Sequence, residues 1–228
     1  MIRHLAAALA LLALPLAARA ADTAATNAAP PAWREDFRKL SPDWKVRGAP
    51  GTPKAAFKVE AAQDGDGVLV MSADKASGSL VLPLEGVNLS RTPVVRWRWQ
   101  MTVYPDQADG RDPKRDDQAI GLYFSTGGML SQKSVAYRWE TDTPVGAEGD
   151  ARYAAGVVKI HWFGLRNRAG GTNTWFVEER NLAEDFKKAF GFVPEKIGLG
   201  VSCNSEMTSS HAEARLDWVE FPAAPKAE

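Results

Sequence analysis

The feature that most constrains the fold of this chain is a strict alternation of apolar and polar residues along short segments. It is clearest over residues 94–101, VVRWRWQM, where Trp97 and Trp99 share one side with aliphatic residues and the basic residues occupy the other. Successive side chains of a β-strand point to opposite faces of the sheet, so this pattern predicts a strand with one buried face. We expect Trp97 and Trp99 to lie together in the core.

Comparable alternating segments follow one another along most of the chain. They are separated by clusters of glycine, aspartate and proline that favour turns, and no regularly spaced helices alternate with them. This pattern predicts an all-β protein, an antiparallel β-sandwich of the jelly-roll type. The predicted strands lie near residues 56–60, 67–72, 79–82, 94–101, 118–125, 134–140, 157–163, 174–180, 196–203 and 212–221.

One segment near the C-terminal end has helical periodicity instead. Between Leu182 and Phe190, apolar residues recur at a spacing that places them on one side of a helix. Asn181 is a preferred residue for the N-cap, and Gly191 is a preferred residue for ending a helix. The sequence therefore predicts one short amphipathic helix over residues 182–190 that packs against the sandwich.

The first twenty residues have the organisation of an export signal. Arg3 provides a positive start, residues 5–16 are apolar, and the small-x-small sequence at residues 18–20 is typical of a cleavage site. The apolar run is shorter than the roughly 20 residues that a membrane-spanning helix needs, so we predict no transmembrane segment. The sequence therefore predicts a signal peptide over residues 1–20 and an exported protein, either periplasmic or secreted.

The rest of the chain is predicted to form one domain between two flexible ends. Residues 21–32 are rich in alanine, threonine and proline, which indicates a tether. No internal repeat or linker interrupts the strand segments after Trp33. We therefore predict a single domain over residues 33–222 and a disordered tail over residues 223–228.

Composition excludes several classes of partner and site. Lysine plus arginine and aspartate plus glutamate both number 28, and without a basic excess we predict no nucleic-acid partner. The single Cys203 excludes an internal disulfide and a multi-cysteine zinc site, and its place at the end of an apolar strand is typical of a buried residue. The glycines of Gly198–Gly200 are too few for a nucleotide-binding fingerprint, and the sequence around Ser202 lacks the last glycine of a nucleophile elbow. No cofactor is expected.

Polar residues gather on the predicted strand faces opposite the tryptophans. If these strands share one sheet, their arginines, carboxylates and a tyrosine meet on one outer face. An arginine fork binds a carboxylate in a bidentate manner, so such a surface suits a glycan or an acidic cell-envelope ligand. The alternative is the ordinary solvated face of an antiparallel sheet. The predicted ligand-binding residues are Arg96, Arg98, Asp117, Tyr123, Arg138 and Arg180.

The same face offers an enzymatic alternative. Glycosidases use two carboxyl groups across the scissile bond, and Glu140 with Glu178 form the best pair at matching strand positions. A polysaccharide lyase needs a base such as His161 or Tyr123. An arginine such as Arg98 or Arg138 would neutralise the sugar carboxylate. The sequence leaves three possibilities open: a glycan-binding module, a polysaccharide-active enzyme and a purely structural envelope protein.

An acidic loop has a composition that suits a metal ion. Five aspartates lie within residues 106–117, and Ca²⁺ takes roughly six to eight oxygen ligands. Arginine and lysine residues interleave with these aspartates, and the loop lacks the spacing of an EF-hand, which favours a solvated turn. His161 and His211 have no paired spacing for zinc. We therefore predict no metal site, with calcium at this loop as the open alternative.

A set of ordered motifs extends across the strand segments and the helix. These motifs are Trp97-x-Trp99, Asp116-Asp117-x-Ala119, Tyr137-x-Trp139, Trp175-x-x-Glu178-Glu179-Arg180-Asn181, Asp185-Phe186 and Phe190-Gly191. In this order they resemble the exported bacterial proteins of domain of unknown function family 3047, over nearly all of residues 33–221. The chain departs from that family at residues 202–208, where an Asp/Asn/Thr-rich stretch is usual, and at Gly121, where a basic residue is common. The resemblance implies a compact, β-rich exported domain and no particular reaction.

Overall fold

The computed structural model describes residues 30–49, 51–62, 66–128 and 131–223. Within these ranges the chain forms two β-sheets that pack face to face, together with one α-helix. The all-β sandwich expected from the alternating segments is therefore confirmed. The predicted signal peptide lies outside the described residues, as do residues 21–29 of the tether and 224–228 of the tail. The predicted domain boundaries stay a prediction.

Thirteen strands make up the described part of the two sheets. In chain order they are β1 (Trp33–Glu35), β2 (Lys45–Arg47), β3 (Ala56–Ala61), β4 (Gly67–Asp74), β5 (Ser77–Leu84), β6 (Val94–Val103), β7 (Ile120–Thr126), β8 (Lys133–Trp139), β9 (Glu148–Tyr153), β10 (Val158–Arg166), β11 (Trp175–Asn181), β12 (Ile197–Asn204) and β13 (His211–Phe221). The six-stranded sheet has the order β11-β6-β13-β4-β3, with β1 also paired to β13. The seven-stranded sheet has the order β2-β5-β12-β7-β8-β10-β9, in which β8 and β10 run parallel.

Aromatic rings from β6 and β8 meet in the core between the two sheets. Trp97 and Trp99 of β6 have no exposed surface, which confirms their predicted burial. The ring of Trp97 stacks on Tyr137 with 5.0 Å between centroids, and the ring of Trp99 packs against Trp139 at 5.5 Å. Burying such large rings removes much apolar area from water, and this removal is the main force that holds two sheets together.

The predicted helix is confirmed as α1 (Leu182–Phe190). The side chain of Asn181 accepts a hydrogen bond from the backbone N–H three residues further on, at 3.1 Å. Gly191 ends the helix in the left-handed region, with a φ of 80°. Leu182 and Phe186 are fully buried and join the core of the sandwich. No helix in the described ranges is long and apolar enough to cross a membrane.

Candidate ligand-binding cleft

The two arginines of β6 lie on the outer face of the six-stranded sheet. Arg98 donates a hydrogen bond to Asp217 at 2.6 Å. Arg96 forms ion pairs with Glu179 at 3.3 Å and with Glu220 at 3.5 Å. Their predicted grouping with the polar residues of β7 and β8 is wrong, because those strands belong to the seven-stranded sheet on the other side of the core.

Glu178 and Arg180 of β11 face the interior of the sandwich. The register places Glu178 opposite Trp97, which points into the core. The carboxylate of Glu178 accepts a hydrogen bond from the indole of Trp99 at 3.1 Å and forms a salt bridge with Arg166. Arg180, two residues further along, pairs with a buried aspartate of α1 at 2.7 Å. Their predicted place on a ligand face is wrong, because paired charges occupy the inward positions at this edge of the core.

His161 of β10 also points away from the predicted ligand face. Its ring packs edge-on against Phe163, with 4.9 Å between centroids, and its Nδ1 lies 2.9 Å from the carboxylate of Asp150. The next residue, Trp162, faces the outer side of the sheet and packs with Ala136 of β8. Because apolar residues occupy both sides of β10, its alternation does not reveal which side is the core.

Two of the catalytic pairings considered from the sequence are therefore not assembled, whereas Tyr123 and Arg138 do lie together, on adjacent strands of the seven-stranded sheet. Glu140 follows the end of β8 in the seven-stranded sheet and is fully buried, whereas Glu178 belongs to the six-stranded sheet. His161 and Arg98 likewise belong to different sheets. Both pairings are wrong for the same reason: equivalent positions on two strands do not meet when the strands lie in different layers.

Other predicted site residues surround the buried guanidinium of Arg138, on the outer side of the seven-stranded sheet. Arg138 lies between the rings of Tyr123 and Trp162, at 5.7 and 5.2 Å from their centroids. It donates a hydrogen bond to Asp116 at 2.8 Å, and its Nη1 is 3.9 Å from the carboxylate of Glu140. Ring faces and carboxylates together hold a guanidinium in one orientation. Arg138 has no exposed surface. It therefore supports the neighbouring rings and carboxylates and is not itself open to a ligand.

Glu140 connects Arg138 to the acidic loop of residues 106–117. Its carboxylate accepts hydrogen bonds from the hydroxyl of Thr143 at 2.8 Å and from the backbone N–H of Gly110 at 3.2 Å. Burial raises the pKa of Glu140 by more than the nearby Arg138 lowers it. These contacts make Glu140 a structural residue at the base of the loop.

The acidic loop neutralises much of its own charge. Asp109 pairs with Arg111 at 2.6 Å, and Asp112 accepts a hydrogen bond from Arg115 at 3.0 Å. The hydrogen bond from the Arg111 side chain holds the pKa of Asp109 well below its ordinary value. Across the part of the chain that the structure covers, no group of three or more histidine, cysteine, aspartate and glutamate side chains is placed to hold a metal ion.

Asp117 holds a turn at one end of the outer face. It has no exposed surface and accepts hydrogen bonds from the backbone N–H and the hydroxyl of Thr208, at 2.7 and 2.9 Å. Burial raises the pKa of Asp117, and the hydrogen bonds from Thr208 offset only part of that effect. The turn carries Glu206 and Met207, which line the end of a cleft.

This cleft of about 1000 Å³ lies on the outer face of the seven-stranded sheet. Its floor is the outward side of β12, where Gly198, Gly200, Ser202 and Asn204 alternate with buried residues. Small side chains leave the floor low, so the larger residues of the neighbouring strands stand above it as walls. The result is an open groove that a chain-like ligand can enter.

The walls of the cleft are hydroxyl-rich on one side and aromatic on the other. Arg47 of β2 and two serines of β5 form the first wall, and Tyr123 of β7 and Tyr153 of β9 form the second. Tyr153 is 39% exposed and donates its hydroxyl to an aspartate carboxylate at 2.6 Å, which holds its ring in place. Burial raises the pKa of Tyr153 above its ordinary value, so this hydroxyl keeps its proton at neutral pH.

The floor of this cleft was not predicted, although the sequence contains a signal for it. The segment Gly198–Asn204 reads GLGVSCN, with a small residue or a short amide at every second position. Its glycines draw attention as a nucleotide-binding motif, but their period of two is the informative feature. A strand with an aliphatic inner face and an almost bare outer face is typical of the floor of a groove.

Solved structures with a similar fold share little sequence with this chain. A family 11 carbohydrate-binding module of a cellulosomal cellulase of Clostridium thermocellum aligns with a TM-score of 0.44 at 10% identity, covering 85% of this chain and 95% of that chain. A xylan-binding module aligns with a TM-score of 0.40 at 11% identity, covering 83% and 95%. A family 12 xyloglucanase from Bacillus licheniformis aligns with a TM-score of 0.43 at 14% identity, covering 84% and 97%. These TM-scores are too low to support an inference about ligand or activity.

No curated protein matches this chain. A family model does match it, over residues 42–220, a range that reaches every strand after β1 and all of the cleft. The resemblance drawn from the ordered motifs is therefore confirmed. The chain belongs to the family described as protein of unknown function DUF3047.

Proposed function

We propose that this protein binds a carbohydrate chain in the cleft on the outer face of the seven-stranded sheet. The observation that carries the proposal is Gly200, at the middle of the floor. Its φ is outside the left-handed region, and an added Cβ would meet only ordinary contacts, the nearest being Val81 Cγ1 at 3.6 Å. Glycine inside a strand costs roughly 0.5–1 kcal/mol relative to alanine. The backbone conformation at residue 200 does not require a glycine. An open floor that a ligand can occupy does require one.

The groups around the floor support a sugar as the occupant. A sugar chain presents many hydroxyl groups together with apolar ring faces, so it needs short polar partners beside an aromatic surface. Serine hydroxyls and the amide of Asn204 supply the polar partners, and the exposed ring of Tyr153 supplies the aromatic surface. Fixed polar groups in a concave site are what orient a small ligand or a segment of a polymer.

The test is to fill the cleft without disturbing the fold. Gly200→Val adds a β-branched side chain, which favours a strand, so we expect an unchanged or higher melting temperature. We also expect at least about tenfold weaker binding of any oligosaccharide that the wild type binds in a glycan array. Ser72→Val places the same valine side chain on β4 in the other sheet and should bind as the wild type does. Equal binding by the wild type and Gly200→Val would contradict the proposal, and so would the absence of any binding by the wild type.

We also propose that the mature protein is exported, and the support for this is the N-terminal sequence alone. The positive start, the apolar residues 5–16 and the small residues at 18 and 20 together favour cleavage after Ala20. Mass spectrometry of protein recovered outside the cytoplasm should show a chain that begins at Ala21. An intact Met1 on that protein would contradict export by cleavage.

A further inference from the structure

A row of hydrogen-bond donors crosses the cleft at right angles to its strands. The register places Arg47 of β2 opposite Ser79 of β5, and Ser79 opposite Ser202 of β12. All three residues line the cleft. Since neighbouring strands lie about 4.8 Å apart, the row extends over about 10 Å.

The protein itself makes little use of these donors. Among the residues that the structure describes, no carboxylate lies within ion-pair distance of Arg47, whereas Arg98 on the opposite sheet is paired at 2.6 Å. The side chain of Ser79 makes no hydrogen bond to a described residue. Ser202 is 3% exposed, and its hydroxyl makes a long 3.5 Å contact with the carbonyl oxygen of Gly121 and lies within reach of the Tyr123 side chain. A charged residue is ordinary on an edge strand such as β2, but this arginine is in line with two hydroxyls that face a cleft. The row therefore offers positive charge and donors to a ligand.

Two of the three carboxylates that line the cleft are paired or buried. Asp116 is paired with Arg138 at 2.8 Å, and Asp117 is fully buried beneath the turn that it holds. Glu206 on that turn has no ion pair to any described residue, and neither does Lys196 at the other end of β12. Of the described residues, the charged side chains without an ion pair that reach the surface of the cleft are therefore Arg47 and Lys196 against Glu206, because Asp117 is buried.

We propose that the ligand of the cleft is an acidic polysaccharide, whose sugar carboxylate binds to Arg47, Ser79 and Ser202. This inference rests on the proposed function and specifies its ligand class. The planar guanidinium fork of arginine matches a carboxylate in a bidentate manner, and such charge-assisted hydrogen bonds are the strong ones. Serine hydroxyls donate to the lone pairs that the fork leaves free. A polymer of uronic acid sugars presents this carboxylate on each ring.

The experiment compares three oligosaccharides of equal length by calorimetric titration: an oligogalacturonate, its methyl ester and a neutral cello-oligosaccharide. The wild type should bind the oligogalacturonate most tightly, and added salt should weaken that binding. Arg47→Gln should bind it at least about tenfold more weakly, with an unchanged melting temperature because Arg47 is exposed. Arg91→Gln removes an exposed arginine outside the cleft. It should change neither the affinity for the oligogalacturonate nor the melting temperature.

Glu206→Gln tests the charge of the ligand, because the affinity should rise for an acidic ligand and fall for a cationic one. Removing this carboxylate should raise the affinity for the oligogalacturonate, because it removes repulsion at the end of the cleft. Weaker binding by Glu206→Gln would indicate a cationic ligand and would overturn the inference.

Two further results separate the failure of this inference from failure of the proposed function. Equal affinities for the acidic and neutral oligosaccharides, unchanged by Arg47→Gln but lost in Gly200→Val, would overturn the acidic ligand and leave carbohydrate binding standing. Absence of binding to all three, and to every glycan on the array, would overturn both.

Discussion

Arg138 and Lys188 each hold a carboxylate at a short distance, but only the pair of Arg138 is buried. The ion pairs Arg138–Asp116 and Lys188–Glu148 measure 2.8 and 2.6 Å. The side chains of the first pair are 1% and 7% exposed, and those of the second are 55% and 41% exposed. Removing one partner of a buried pair leaves the other charge without compensation and costs about 3–5 kcal/mol, whereas an exposed pair is worth about 1 kcal/mol or less. We therefore expect Arg138→Met to lower the free energy of unfolding by about 3–5 kcal/mol, and Lys188→Met by about 1 kcal/mol or less.

The cost of Arg138→Met should come mainly from the carboxylates that it leaves behind. Methionine keeps the contacts with the two neighbouring rings, so little packing is lost. Asp116 and Glu140, with side chains 7% and 0% exposed, remain buried without their cation. Glu140→Gln removes one of these charges in advance. In that background Arg138→Met should therefore cost less, by about 1 kcal/mol or more.

Urea unfolding followed by tryptophan fluorescence measures these costs. A domain typically has about 5–15 kcal/mol of stability, so the Arg138→Met variant should still fold at low urea. Equal costs for Arg138→Met and Lys188→Met would refute the reasoning from burial. If Arg138→Met costs as much in the Glu140→Gln background as in the wild type, the buried carboxylates left without a cation are not the source of the cost.

Three other substitutions or modifications test the core and the buried groups. Trp97→Ala should cost about 3–5 kcal/mol in the same unfolding assay, and a cost below about 1 kcal/mol would contradict the packing of its ring. Burial raises the folded-state pKa of Asp117, so its contribution to stability is complete below its unfolded pKa of about 3.9 and is lost as pH rises through the folded value. Thermal melts should accordingly show Asp117→Asn gaining stability relative to the wild type between about pH 3 and pH 7, and a constant difference would argue against the shift. The thiol of Cys203 is fully buried and burial raises its pKa, so a thiol reagent should modify it only after unfolding; rapid modification of the native protein would show the thiol to be accessible.

Local features of the sequence were sufficient for much of the fold. The alternation around Trp97 and Trp99 involves only neighbouring residues, and the structure buries both rings. The ends of α1 were predictable because Asn181 and Gly191 act on backbone groups within one turn of the helix. The inward placement of Glu178 was not predictable in this way, because charged residues occupy inward positions of β11 and reverse the expected polarity of its faces.

The sequence by itself determined the fold class, the helix α1 and the inner face of strands such as β6. Only the tertiary structure decided which strands share a sheet. Arg98 and Arg138 occupy similar positions on their strands, but pairing between distant segments places them on opposite surfaces of the sandwich. The cleft likewise exists only because the bare outer side of β12 lies between the walls formed by other strands. Strand order and register depend on how whole sheets pack, and the period of a single segment does not contain that information.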